Sequence, residues 1–466
     1  MRQAPETTSR LDEGLEPRLR RFAVTAIAIG TIMAVLDGSI ANVALPTIAR
    51  ELRIDPAASV WVVNAYQLAT TMSLIPLASL GDVYGYRRVY RAGLAVFTLG
   101  SLGCALSHSL TALVLFRFLQ GFGGAAIMAV GPALYRTIFP SNRLGVALGI
   151  SALTVASSAA AGPTIGGFIL ALLPWPWLFA INVPLGIFDV FLAGRTLPRQ
   201  TGHGGRFDFV SALLAAPAIT FLVTAVDGLS RAIPRAALAL MLAASATFGT
   251  LFVARQRRIA HPMLPLGLFA SPRFSLAAGT SLCSFVAQGL AFVALPFLFQ
   301  TGYGYSPFAS GLLFTPWPLS IAIVAPAAGR LADRYPAPIL STCGLFVFAL
   351  GLGLLGWLGP HATPPDIVWR AVVCGLGFGF FQSPNNREIM GNAPRERSGS
   401  ASGVLATVRV TGQALGAALT AVVLGAGGVS AAHPALLLAA AAAGAAALVS
   451  ALRLPVMRSA AAGTEA

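Results

Sequence analysis

Lysine is absent from this chain. All 31 basic side chains are arginine, so there is no Walker A loop, whose lysine must reach nucleotide phosphates, and no Schiff-base chemistry. A self-contained ATP-driven pump is therefore excluded. Cysteine is scarce too. Cys104, Cys283, Cys343 and Cys374 each fall inside an apolar run without CxxC or Cys/His spacing, which argues against disulfides and against a metal site. None of the five histidines lies in the middle of an apolar stretch, so no histidine proton relay is expected. Charge of either sign is rare: 10% of the 466 residues are charged, while 56% are hydrophobic. Soluble domains carry about 25% charged residues, so this is the composition of a membrane protein. No enzymatic activity and no cofactor is expected.

What fills the chain instead is a succession of apolar runs of about 20 residues, the length that crosses a bilayer. They are expected at 22–43, 58–78, 89–107, 110–136, 144–170, 177–194, 209–226, 234–254, 274–299, 307–328, 339–358, 367–386, 400–425 and 432–452. The fold class is an all-α integral membrane protein with fourteen transmembrane helices. Residues 1–21 are polar and charged, with no small-residue cleavage site after a short apolar core. They read as a cytoplasmic tail ahead of a retained first span. With the N-terminus inside, about 24 arginines fall on cytoplasmic segments and about 5 outside, a bias that fits the positive-inside rule. Both termini, including the tail 453–466, are then cytoplasmic. The net charge of +15 is a topology signal, and nucleic acid is not an expected partner.

Two stretches resemble each other. ASLGDVYGYRR (78–88) follows the second span and GRLADRYPAP (329–338) the tenth. Aligning Asp82 with Asp333 gives an offset of about 251 residues, which carries the opening of span 1 onto the opening of span 9. The chain thus divides into two parallel six-span halves, 22–194 and 274–452, with an inserted helix pair at 208–256. Such halves describe a secondary transporter whose site lies near the midplane.

Asp37 and Arg117 stand out within the apolar runs of the first half. In VLDGSIANVALPTI (35–48), Asp37 costs on the order of 3 kcal/mol to place within the membrane. Span 1 leaves the membrane near Ala44 to Pro46, which puts Asp37 roughly 10–13 Å below the outer surface; Arg117 in span 4 lies about 10 Å down. Arg117 is therefore the expected partner. A fixed structural pair is the bland alternative, and intramembrane pairs are functional by default.

These segments resemble the fourteen-span drug:proton antiporter branch of the major facilitator superfamily over nearly the whole chain. Span 1 carries LDGSIANVALP, with Asp37, Asn42 and Pro46; span 4 carries RFLQGFGGAA, with Arg117 and Gln120; span 5 carries GPTIGG; span 6 opens WPWLFAINVPLG. HPMLPLGLFASPRF (261–274) and VRVTGQALG (408–416) also match. Departures are Ala78 and Pro336 in the two loop motifs, Ser158 in span 5, and Pro176 between Trp175 and Trp177. The resemblance implies a cytoplasmic latch built from Gly81, Asp82, Gly85, Arg87 and Arg88 and repeated as Gly329, Asp333 and Arg334. It also implies an antiporter signature at Gly149, Gly162, Pro163, Gly166 and Gly167. In physical terms the glycines permit a tight turn, Asp82 can face a helix N-terminus, and the arginines can meet helix C-terminal carbonyls. Small residues let helices approach, and Pro163 bends its helix.

Asn42, Gln120, Asn182, Ser284, Gln288 and Gln382 are candidates for the wall of a substrate cavity. Trp317 either stacks a planar substrate or packs in the core. Arg409 either binds a substrate anion or donates to helix carbonyls. Asp189 and Asp227, near span ends, read as interfacial, as do Trp175 and Trp177. The expected function is export of small lipophilic compounds in exchange for protons, by a monomer in the cell's inner membrane. A proton entering down about 150 mV supplies roughly 3.5 kcal/mol, enough for about a few-hundred-fold gradient of a neutral substrate. A dedicated metabolite exporter, a symporter, and a transporter-shaped sensor are the rivals. Spans 9 to 12 show no mid-membrane carboxylate, so neutral, zwitterionic or weakly anionic substrates are expected over divalent cations.

Overall fold

The structure is a computed structural model, and it describes residues 14–140, 143–199, 207–229, 233–259, 262–264, 266–391 and 398–455. Most of both expected tails lies outside the described residues. Every regular element among the described residues is helical. The long helices are α1 (Pro17–Glu51), α2 (Trp61–Tyr84), α3 (Tyr86–Ala105), α4 (Leu110–Ile138), α5 (Leu144–Leu172) and α6 (Trp177–Thr196). There follow α7 (Phe209–Gly228), α8 (Arg235–Gln256), α9 (Pro272–Gly302), α10 (Pro307–Leu331), α11 (Ala337–Gly356), α12 (Pro364–Gly391), α13 (Ser398–Gly427) and α14 (Ala432–Ala451).

Eleven of these are long and apolar enough to cross a membrane by length and composition. The three that fall short are α2, α3 and α12, and the reason is polar content. Asn64 and Gln67 dilute α2, Arg87, Arg88 and Arg91 open α3, and α12 carries Asp366, Arg370 and Arg387. Helix starts follow local chemistry. Proline occupies the first turn of α1, α9 and α10, where its missing N–H costs nothing. Ser109 and Ser306 accept hydrogen bonds from the backbone N–H of Ala112 and Ala309. α1 begins at Pro17, inside the stretch expected as tail.

The two halves use the same neighbour pairs. In the first, α1 packs on α5 and α6, α4 on α2 and α3, and α3 on α6. In the second, α9 packs on α13 and α14, α12 on α10 and α11, and α11 on α14. Across the halves, α5 meets α10 and α2 meets α13, contacts that the internal repeat exchanges. α7 lies against both α2 and α13, and α8 leans on α7 with only Gln256 buried. The inserted pair therefore sits at the edge of the seam. The arrangement is thus two parallel six-helix halves with an inserted helix pair.

Contacts between the halves gather at the end where α1 finishes. One apolar cluster there joins Ile40, Ala44, Leu45 and Ile48 to Val293, Phe297, Ala417 and Ala421. Gln300 Nε2 donates to the Val43 carbonyl at 2.7 Å, and the hydroxyls of Thr164 and Thr315 touch. Near the other end, Ala23, Ile27 and Leu134 cluster within the first half, and Leu268, Phe274 and Ile389 within the second. Among the described residues the halves are thus joined where α1 ends and parted where it begins.

Candidate functional site

Asp37 lies midway along α1, and α4 and α6 close over it. Arg117 Nη1 donates to Asp37 Oδ2. Gln120 Nε2 donates to Asp37 Oδ1 at 2.9 Å, and Asn182 Nδ2 donates to the same oxygen at 3.1 Å. Arg117 also donates from Nε to the Val62 carbonyl at 2.8 Å and from Nη1 to Gln120 Oε1 at 2.7 Å. Its guanidinium carbon stands 4.5 Å from the Tyr66 ring centre and 5.4 Å from that of Phe179. Gln120 is held in turn, with Nε2 2.8 Å from Ser101 Oγ. Arg117 and Gln120 are fully buried and Asp37 is 3% exposed.

This arrangement follows from spacing. Arg117 and Gln120 are three residues apart, neighbours on one helix face. A buried carboxylate demands donors for its lone pairs, and an arginine demands acceptors. Removing either charge leaves the other buried without its counter-charge, at a cost of about 3–5 kcal/mol. Arg117 Nη2 has no hydrogen-bond partner, so the cluster retains one unused donor.

The remaining expected residues divide. Gln120 and Asn182, expected on a cavity wall, are instead committed to Asp37. Trp317 is fully buried among Phe292, Phe314 and Phe348, with centroid distances of 5.3, 6.3 and 5.5 Å; it is core, and offers no face for stacking. Asn42 is buried, donates to the Gly38 carbonyl at 3.2 Å, and leaves its Oδ1 without a partner. Gln288 Oε1 accepts from Gln413 at 2.9 Å, a bond joining α9 to α13. Gln382 is partly buried. Arg409, also partly buried, has no hydrogen-bond or ion-pair partner among the described residues, neither helix carbonyl nor acid.

In the antiporter signature, a Cβ on Gly162 would strike Ser39 Oγ of α1 at 1.8 Å, and one on Gly167 the Pro307 carbonyl oxygen at 2.6 Å. Pro163 lies within α5, and its carbonyl is 2.3 Å from where a Cβ on Gly311 would stand. Gly166 lies against Ile40. Gly149 differs from the others in the signature: among the described residues nothing lies within 4 Å of its Cβ position.

The two loop motifs do not meet each other. Gly85 takes φ +93°, a conformation suited to glycine, and turns α2 into α3. Tyr86 Oη lies 2.5 Å from Asp82 Oδ1, and Arg87 donates to the Gly194 carbonyl in the last turn of α6. Gly81 has Tyr86 and Val130 at 2.8 Å from its Cβ position. Arg88 is exposed. In the second copy Asp333 pairs with Arg387 of α12, and Arg334 is exposed, while Gly329 approaches Ser383. One offset relates Asp82 to Asp333 and Arg136 to Arg387.

Sequence reasoning missed three buried groups. Asp189, expected at an interface, is fully buried in α6. Asp227 is buried as well and accepts from Trp61 Nε1 at 3.0 Å, which ties α7 to α2. Arg453, assigned to the tail, is fully buried and donates to Glu388 Oε2 and Asn385 Oδ1, each at 2.8 Å. An arginine directly after an apolar run was the available signal.

A model of the Major Facilitator Superfamily matches residues 27–417. An uncharacterised transporter, YebQ, of Escherichia coli K12 is 49% identical over 96% of this chain and 99% of its own. The riboflavin transporter RibZ of Clostridioides difficile is 33% identical over 84% and 85% of the two chains. The multidrug resistance protein Stp of Mycobacterium tuberculosis (strain CDC 1551 / Oshkosh) is 33% identical over 88% and 76%. Among solved structures, a POT family transporter in complex with 5-aminolevulinic acid superposes with a TM-score of 0.72 at 15% identity, covering 95% and 98%.

Proposed function

Because the chain belongs to the major facilitator superfamily and is a multi-pass membrane transporter, we propose that it exports small lipophilic compounds in exchange for protons. The observation that carries this reading is the buried cluster in which Asp37 takes donors from Arg117, Gln120 and Asn182. It holds a titratable group within the membrane, on three separate helices. A proton on Asp37 cancels its attraction to Arg117 and weakens its hold on the two amides. A small relative movement of α1, α4 and α6 is then linked to proton occupancy. Exchange follows if substrate and proton favour opposite openings, each shifting the population by its differential affinity.

Backbone-close packing of α5 on α10 supports the direction. Gly167 and Pro163 meet Pro307 and Gly311 at the closed end, so release to that side requires parting two helices that now touch. With the N-terminus cytoplasmic, the present state opens inward, ready to load substrate. The loop motifs, each paired within its own half, would engage across the halves only when that side shuts. In this reading the protein works as a monomer in the inner membrane, with lipid, substrate and protons as partners.

A second reading is a transporter dedicated to one metabolite, favoured by the relative named as a riboflavin transporter. A growth-inhibition panel in a sensitive host, with and without the gene, separates the two. Protection against several unrelated toxic compounds supports broad export, and protection against none favours the dedicated transporter. Everted vesicles then test coupling. Adding a protected-against compound to energised vesicles should dissipate the proton gradient.

A further inference from the structure

Asp189 is a second membrane-buried carboxylate, outside the Asp37 cluster. It is fully buried, and neither of its oxygens has a hydrogen-bond partner. Two helices face it besides its own. On α1, the Cβ position of Gly30 is 3.2 Å from Asp189 Oδ2 and 2.2 Å from Tyr90 Oη. On α3, Tyr90 Oη is 3.0 Å from the Ala26 carbonyl and also stands beside Asp189, so its one hydrogen is shared between two acceptors. Tyr135 of α4, which stands near Tyr90, has no hydrogen-bond partner for its Oη among the described residues. Arg87 and Arg91 gather instead at Gly194, nearer the end of α6. A carboxylate buried with no counter-charge, and with only a hydroxyl shared with another acceptor and a distant backbone amide beside it, is costly to keep ionised, and such a group takes up a proton.

Its position gives that proton a use. Asn182, which holds Asp37, and Asp189 are two turns apart on one face of α6, and Asp37 and Gly30 are two turns apart on one face of α1. The two carboxyls therefore share the α1–α6 seam, separated by about 10 Å along the axes. Asp189 lies on the side where the halves are parted.

We propose that Asp189 is a second proton-carrying site, which relays protons between Asp37 and the parted end of the molecule. The relay rests on the proton coupling proposed above; the protonation of Asp189 does not.

Infrared difference spectroscopy on the full-length protein in lipid nanodiscs tests both parts. At neutral pH a carbonyl stretching band of a neutral carboxylic acid should be present, lost in Asp189→Asn and retained in Asp37→Asn. Asp189→Glu should restore it at a shifted frequency, which guards against a loss due to misfolding. A spectrum unchanged by Asp189→Asn overturns the assignment. After a rapid pH jump, deprotonation of Asp37 should slow by about 100-fold in Asp189→Asn, the low end of what a positioned proton carrier contributes. An unchanged rate removes Asp189 from the route. If Asp37→Asn still drives uphill export, the coupling reading and the relay fail together, while the band remains the test of Asp189 itself.

Discussion

The closed end of the molecule is held by backbone contact, and one methyl group should pry it open. A Cβ on Gly311 of α10 would stand 2.3 Å from the Pro163 carbonyl oxygen of α5, where ordinary contact begins at 3.4 Å. The obstacle is backbone, so no side chain can turn aside. Gly311→Ala must therefore separate α5 and α10 by about 1 Å, an overpacking that costs about 1–3 kcal/mol. The cost falls only on the state in which these helices touch. The equilibrium should shift toward the state parted at this end by about 5- to 150-fold, at 1.36 kcal/mol per factor of ten. Spin labels at Arg53 and Tyr303, in a background with the four native cysteines replaced, report the separation across this end. Electron–electron resonance should show the longer-distance population growing in Gly311→Ala. An unchanged distance distribution would refute the claim that this contact sets which end is open.

Arg453→Ala should destabilise the protein by about 3–5 kcal/mol, because it breaks the buried Arg453–Glu388 pair and the bond to Asn385; Glu388→Gln in the same chain should recover part of the lost thermal stability. Asp82→Asn should slow exchange between the open states while leaving affinity for an identified substrate within about tenfold, since the substrate site lies near the midplane. Normal turnover would reduce Asp82 to an orienting charge. Asp208, which caps α7, is raised by burial, but Arg255 and Ser211 outweigh this and hold its carboxyl below the usual range. The stabilisation of the α7–α8 joint is thus present at neutral pH and lost as pH falls through the depressed value. Hydrogen exchange at the start of α7 should rise on acidification, and in Asp208→Asn it should already be raised at neutral pH.

Helix number and repeat were legible because bilayer thickness dictates run length, and a duplicated loop motif is a local pattern. The match of Asp37 with Arg117 was also legible, since depth along a helix can be counted in residues. What the amides do was not. Gln120 and Asn182 are polar residues in apolar helices, and periodicity places them on a face without saying which neighbour that face meets. The same blindness made Trp317 look like a binding surface and hid the burial of Asp189. In Arg453 the apolar run had ended by count, yet the helix carried the side chain back into the bundle. Gly149 shows the converse, a small residue in a small-residue motif with open space at its Cβ position among the described residues.

The central claim is that the proton on Asp37 drives transport, and Asp37→Asn tests it most directly. The substitution keeps the side chain's shape and removes its charge and its titration. In everted vesicles with an imposed pH gradient, wild type should concentrate an identified substrate, while Asp37→Asn should equilibrate it without accumulation and bind it with no pH dependence. Accumulation by Asp37→Asn against a gradient, driven by pH, would make the Asp37–Arg117 cluster structural and place coupling elsewhere.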